Sequence, residues 1–147
     1  MTEDIKDIAR PVVYVPMVAD IVHPGHINIL REAAKYGNVI VGLYADDAVA
    51  SYKRVPYMSY EERKVVVESI RYVAKVVEQR EKDYAANLKA YKPDYMVHGK
   101  DWREGTLAEV RQKAIDLMAT WGGKVIEPDY TRGVSSTAIQ KKIKERV

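Results

Sequence analysis

The sequence predicts an α/β fold, a doubly wound, five-stranded parallel sheet with helices on both faces. Three observations carry that prediction. Short β-branched runs alternate along the chain with longer stretches of helical length. The run Asn38 to Leu43 (NVIVGL) is apolar almost throughout, as a parallel strand covered on both faces should be. Glycine or proline closes the helical stretches, at Gly37, Pro93 and Gly122–Gly123.

The elements follow in order. Val12 to Val18 reads as a buried strand, and Pro24 to Tyr36 as a helix stopped by Gly37. Asn38 to Leu43 is the second strand. Ser59 followed by Glu62 is a capping box that opens a helix to about Ile70. Val73 to Val77 is a third strand, and Asp83 to Tyr91 a helix ended near Pro93. Tyr95 to His98 is a fourth strand, and Gly105 to Trp121 an amphipathic helix. Lys124 to Glu127 is a fifth strand. Ser135 or Ser136 caps a last helix. Strands joined by helices imply right-handed crossovers and a Rossmann-like sheet, which binds ligands at the carboxyl ends of its strands. The loops after the first, fourth and fifth strands are therefore the expected seat of chemistry.

Composition narrows the classes. The chain has 147 residues, the size of one domain, spanning 1–147. Hydrophobic residues are 47% and charged residues 31%, enough for a core and against disorder. Apolar runs are too short to span a membrane, and the polar start MTEDIKDIAR is unlike a signal peptide, so a cytoplasmic location is expected. Cys is absent, which excludes disulfides and thiol nucleophiles. A net charge of +3 gives no argument for nucleic acid. Phe is absent while Tyr numbers 11, so Tyr and Trp must build the aromatic core.

Two of the three His residues stand in His23-Pro24-Gly25-His26, where the first strand gives way to a helix. A helix N-terminus presents N–H groups and a partial positive charge, a ready anion site. Gly25 admits close approach to the backbone, Pro24 suits the first turn, and imidazoles three residues apart can face one anion. The pattern suggests phosphate binding. Helix capping by two partly buried His is the plain alternative. Zinc is a further one, although the spacing is not the usual i, i+4 arrangement. Tyr130-Thr131-Arg132-Gly133-Val134-Ser135-Ser136-Thr137 opens the last helix and forms a second anion cradle, with Arg132 as a nearby cation. Alone it is an ordinary N-cap; beside the first motif it suits a polyphosphate spanning two helix starts.

These residues resemble a family. His-Pro-Gly-His matches the H-x-G-H signature of the nucleotidyltransferase superfamily that includes the cytidylyltransferases. Thr131 to Thr137 resembles the T-x-G-I-S-T-T segment of glycerol-3-phosphate and choline-phosphate cytidylyltransferases. Lys53-Arg54, Ser59-Tyr60-Glu61-Glu62-Arg63-Lys64, Ile70-Arg71-Tyr72-Val73 and His98-Gly99-Lys100-Asp101-Trp102 are similar to further family segments. Met17 to His26 and Val97 to Gly105 resemble most the cytidylyltransferase domain fused to phosphoenolpyruvate mutase in phosphonate biosynthesis. Val18, Tyr130 and Lys100 depart from the family's Thr, Arg and Asp.

The resemblance implies transfer of CMP from CTP to a small phosphonate or phosphoalcohol, with pyrophosphate leaving. An alkylphosphonate such as 2-hydroxyethylphosphonate is the expected acceptor. Glycerol-3-phosphate or choline-phosphate is the alternative, as is an ATP-using adenylyltransferase; a nucleotide-binding regulatory domain without catalysis is the non-enzymatic one. The same resemblance assigns His23, His26 and Lys53 to catalysis. It assigns Val18, Ala19, Gly25, His98, Lys100, Asp101, Thr131, Gly133, Ser135, Ser136 and Thr137 to the nucleotide. Asp20, Arg54, Arg63 and Arg71 are further candidates. Asp20 could orient a metal-bound water or serve only as a turn carboxylate, and Arg63 could be a solvated helix residue. Trp102 is expected in the core. Tyr84 and Asn87 fall near the family's acceptor-binding region. Mg²⁺ is expected with CTP, with no direct protein ligand assigned, and a homodimer is expected.

Overall fold

The computed structural model describes residues 4–50, 55–129 and 134–146. Five strands form one parallel sheet: β1 Val12–Met17, β2 Asn38–Tyr44, β3 Val73–Gln79, β4 Tyr95–Val97 and β5 Lys124–Ile126. Their order is β3-β2-β1-β4-β5. The chain moves outward from β1 to one side, then crosses to the other, so the switch point lies between β1 and β4. The helices are α1 Pro24–Ala34, α2 Asp46–Ala50, α3 Tyr60–Glu68, α4 Ala85–Tyr91, α5 Ala108–Ala119 and α6 Ser136–Arg146. Among the described residues, no helix is long and apolar enough to cross a membrane.

Strand alternation divides the core into two layers. Val13, Val15 and Met17 of β1, with Val39, Val41 and Leu43 of β2, face Leu30 and Ala33 of α1 and Val67 of α3. Val12 and Tyr14 of β1, with Ile40 and Tyr44 of β2, face Ala48 and Val49 of α2, Leu88 of α4 and Met118 of α5. Each fully buried aliphatic side chain contributes about 1.5–3 kcal/mol. The helices thus cover both faces, as expected.

The differences from the sequence reading are local. Helix α2 is five residues long, too short to show helical periodicity. The helix expected from Gly105 begins at Ala108, preceded by two 3₁₀ turns at Lys100–Arg103 and Gly105–Leu107. The α3 capping box forms as predicted: Ser59 Oγ accepts from the Glu62 N–H at 3.2 Å, and Glu62 Oε1 accepts from the Ser59 N–H at 3.0 Å. The Tyr14 hydroxyl has a packing reason that Phe could not meet. It donates to Gln79 Oε1 and accepts from Asn87 Nδ2 at 2.9 Å, wholly buried. Gly42 makes this possible, because a Cβ there would lie 1.9 Å from that oxygen. Burial raises the phenol well above its ordinary range, so it remains a donor.

Candidate active site at the carboxyl edge of the sheet

The turn after β1 is held on both sides of Ala19. Ala19 adopts φ 54°, a left-handed conformation costly for a residue with a Cβ. On one side of it, the Val18 carbonyl accepts from Arg63 Nη1 at 2.8 Å. On the other, Asp20 accepts the N–H of Tyr57 and of Met58, each at 2.9 Å, one on each carboxylate oxygen. Arg63 also donates through Nε to the Met58 carbonyl at 3.1 Å and pairs through Nη2 with Asp46 Oδ1 at 2.7 Å. Its side chain is fully buried. Arg63 and Asp20 therefore brace β1, α2 and the segment entering α3. This corrects the expectation that Arg63 meets substrate or solvent. It also supports the turn-carboxylate reading of Asp20.

Helix α1 begins at this turn, with His23 as its N-cap. His23 Nδ1 accepts from the Gly25 N–H at 3.0 Å, and His26 Nδ1 accepts from the His23 N–H at 3.2 Å. The His26 N–H bonds the His23 carbonyl at 3.0 Å. Two first-turn N–H groups expected to meet an anion directly are thus engaged within the turn. Because each Nδ1 accepts, each neutral ring carries its proton on Nε2. The rings lie 4.1 Å apart between centroids. Desolvation lowers the His23 pKa, favouring the neutral ring over the cation. The result is a pair of Nε2–H donors built on the positive end of a helix. Gly25 is required for the ring as well as any ligand: a Cβ there would meet His23 Cε1 at 2.7 Å and Nδ1 at 2.9 Å.

The start of α6 lies beside the start of α1. The same hypothetical Cβ would be 3.8 Å from the Val134 carbonyl oxygen. Ser135 Oγ accepts from the Ala138 N–H at 3.0 Å, so Ser135 supplies the cap and Ser136 begins the helix. Ser136 and Thr137 occupy its first turn. The two expected anion cradles therefore sit on one edge of the sheet. Lys53, Arg54, Tyr130, Thr131, Arg132 and Gly133 lie outside the described residues.

His98 follows β4 at the same edge. Its Nδ1 lies 2.8 Å from the Gly99 carbonyl, which can only accept, so Nδ1 carries the proton. Nε2 then accepts from the Tyr84 hydroxyl at 3.1 Å. The ring stacks on Trp102 at 3.8 Å between centroids, with 6° between planes. Desolvation lowers its pKa. Lys100 pairs with Asp129, and Asp101 Oδ1 lies 3.7 Å from His98 Nδ1. Tyr84 and Asn87 are both buried in internal hydrogen bonds, to His98 and to Tyr14. Arg71 is placed differently from its expectation. It precedes β3, at the amino end of the parallel sheet, where it donates to the Tyr72 hydroxyl at 2.8 Å.

A cluster missed by sequence reasoning follows β5. Glu127 accepts from Trp102 Nε1 at 2.6 Å, Arg103 Nη2 at 2.8 Å and Arg111 Nε at 3.0 Å. These hydrogen bonds lower its carboxyl to a pKa of about 2. The available signal was a single acidic residue at a strand's carboxyl end. Among the described residues, no group of three or more His, Cys, Asp or Glu side chains could hold a metal ion. Asp20 directs both its oxygens to backbone N–H groups.

These observations define a doubly wound α/β domain in which two helix starts, one carrying paired imidazoles, meet at the carboxyl edge of the sheet. The chain belongs to the cytidylyltransferase-like family, whose profile matches residues 17–142. It is 40% identical over 82 residues to the FAD synthase of Archaeoglobus fulgidus, covering 56% of this chain and 60% of that one. It is 33% identical over 130 residues to the glycerol-3-phosphate cytidylyltransferase of Staphylococcus aureus, covering 84% and 88%. The crystal structure of the lipopolysaccharide core biosynthesis protein from Thermoplasma volcanium superposes with a TM-score of 0.67 at 21% identity. It covers 82% of this chain and 95% of its own, and shares the fold.

Proposed function

We propose that this protein is a nucleotidyltransferase that moves CMP from CTP to a small phosphoalcohol of the glycerol-3-phosphate kind. The observation that carries the reading is the pair of Nε2–H donors of His23 and His26 at the start of α1, beside the start of α6. The glycerol-3-phosphate cytidylyltransferase, matched over 88% of its length, supports the acceptor class. An alkylphosphonate acceptor rests on the resemblance of Met17 to His26 and Val97 to Gly105 alone.

In the reaction, an anionic oxygen of the acceptor attacks the α-phosphorus in line. A new P–O bond forms, the bond from the α-phosphorus to the bridging oxygen breaks, and pyrophosphate leaves with that electron pair. The attacking oxygen is already ionised, so no general base is required. The work of the protein is orientation and charge stabilisation. His23 and His26 donate to oxygens on the transferring phosphorus. The α6 hydroxyls of Ser136 and Thr137, with Ser135 at the cap, serve the β- and γ-phosphates. Lys53 adds a cation, on the family resemblance. Mg²⁺ would accompany the nucleotide and offset the negative charge of its phosphates.

A second reading, adenylyl transfer from ATP, is favoured by the similarity to a FAD synthase. We also propose a homodimer. Val55, Tyr57 and Val65, on and before α3, are apolar side chains left 72%, 66% and 61% exposed, the kind of surface a second copy covers. The substrate test is pyrophosphate release over CTP and ATP against glycerol-3-phosphate, choline phosphate, 2-hydroxyethylphosphonate and FMN. Best turnover with CTP and glycerol-3-phosphate supports the reading. Best turnover with the phosphonate, or with ATP and FMN, replaces the acceptor or nucleotide.

A further inference from the structure

We propose that Glu127 is a positioning residue for the nucleotide, holding the segment after β4 in place through Trp102 and Arg103. The inference rests on the nucleotidyltransferase reading and adds to it a residue that the resemblance did not assign.

The contacts run in one direction. Glu127 leaves β5 with its side chain only 9% exposed. Through Oε2 it fixes the indole N–H of the fully buried Trp102 at 2.6 Å. Through Oε1 it takes Arg103 Nη2 at 2.8 Å. Arg111 of α5 donates to both carboxylate oxygens, at 3.0 and 3.1 Å, and fixes the carboxylate plane against the helix. The Trp102 indole lies flat against His98, and His98 Nδ1–H holds the Gly99 carbonyl. The chain of contacts therefore ends on Gly99, Lys100 and Asp101. A second tie, Lys100 to Asp129, joins the same two loops nearer solvent.

This gives a physical reason for the ordering of that segment. It contains two short 3₁₀ turns without side-chain caps, at Lys100–Arg103 and Gly105–Leu107. Such turns hold weakly by themselves. A carboxylate bonded to a buried indole and two guanidiniums supplies the missing constraint. The same carboxylate stands at the exit of β5, so Glu127 and Asp129 tie the start of that segment to the segment after β4.

The test uses Glu127→Gln, which keeps the shape and removes the charge, and Arg103→Gln, whose half-exposed side chain can be changed without opening the core. Each variant is titrated with Mg·CTP and Mg·ATP by calorimetry and assayed for pyrophosphate release. The expected result is a nucleotide Kd and KM raised roughly tenfold, with kcat and the acceptor KM nearly unchanged. If Glu127→Gln fails to fold, Arg103→Gln decides the question. An unchanged nucleotide Kd in Arg103→Gln overturns the inference, as does an equal loss in kcat and both KM values. Wild-type protein that binds neither nucleotide overturns the inference together with the reading beneath it.

Discussion

Replacing Arg63 by Met tests the reassignment of that residue from substrate contact to internal brace. The guanidinium is fully buried and makes three bonds, to the Val18 carbonyl, the Met58 carbonyl and Asp46. Methionine fills much of the volume but satisfies none of them. Asp46 is half exposed and regains water, so its share of the loss is small. The two carbonyls lose a charged donor, at about 1–3 kcal/mol each when left unpaired. Loss of a buried pair's partner typically costs about 3–5 kcal/mol, consistent with that sum. A value near 4 kcal/mol, with an m of about 2 kcal/mol/M, lowers the urea midpoint by roughly 2 M. Arg63→Lys should recover only part, because an ammonium cannot span all three acceptors. The assay is urea unfolding followed by far-UV circular dichroism. An unchanged midpoint with abolished turnover would refute the brace and return Arg63 to the substrate.

Three further outcomes are expected. Gly25→Ala should displace the His23 ring, lose a cap worth about 1 kcal/mol, and lower turnover far more than stability; thermal unfolding beside steady-state kinetics would separate the two effects. Glu127, depressed from 4.5 to about 2, binds fewer protons folded than unfolded, so its stabilisation is complete above the unfolded value and is lost as pH falls toward 2; Glu127→Gln should flatten that acid limb in urea midpoints measured between pH 2 and 5. Sedimentation at micromolar concentration should show a dimer, and Val65→Asp, on the exposed face of α3, should shift it to a single chain while leaving secondary structure intact.

The sheet was legible because parallel strands buried on both faces read as unbroken apolar runs, as NVIVGL does. The two helix starts were legible from His-Pro-Gly-His and Val-Ser-Ser-Thr, since capping chemistry is local. What failed depended on distant partners. Arg63 stands in a polar stretch, SYEERK, and nothing there shows that Val18, Met58 and Asp46 enclose it. Asp20 stood open between orienting a metal-bound water and capping a turn, and the N–H groups of Tyr57 and Met58, 37 and 38 positions away, favour the turn. Arg71 could have been placed from topology alone: a residue just before a parallel strand sits at the amino edge, opposite the site. Gly25 was read as a place where a ligand approaches the backbone, and what the structure places against it is the ring of His23.

The most direct test is acceptor-dependent pyrophosphate release by the purified chain with Mg·CTP, compared between wild type and His26→Ala. On the proposed reading His26 gives its Nε2–H to an oxygen on the transferring phosphorus, and its Nδ1 accepts the His23 backbone N–H, so its removal takes that donor and loosens the N-cap. The expected result is release that requires the acceptor, with turnover reduced roughly 10²–10³-fold in a folded variant. Absence of acceptor-dependent release with either CTP or ATP, or a folded His26→Ala protein as fast as wild type, would contradict the assignment of this edge of the sheet as a nucleotidyl-transfer site.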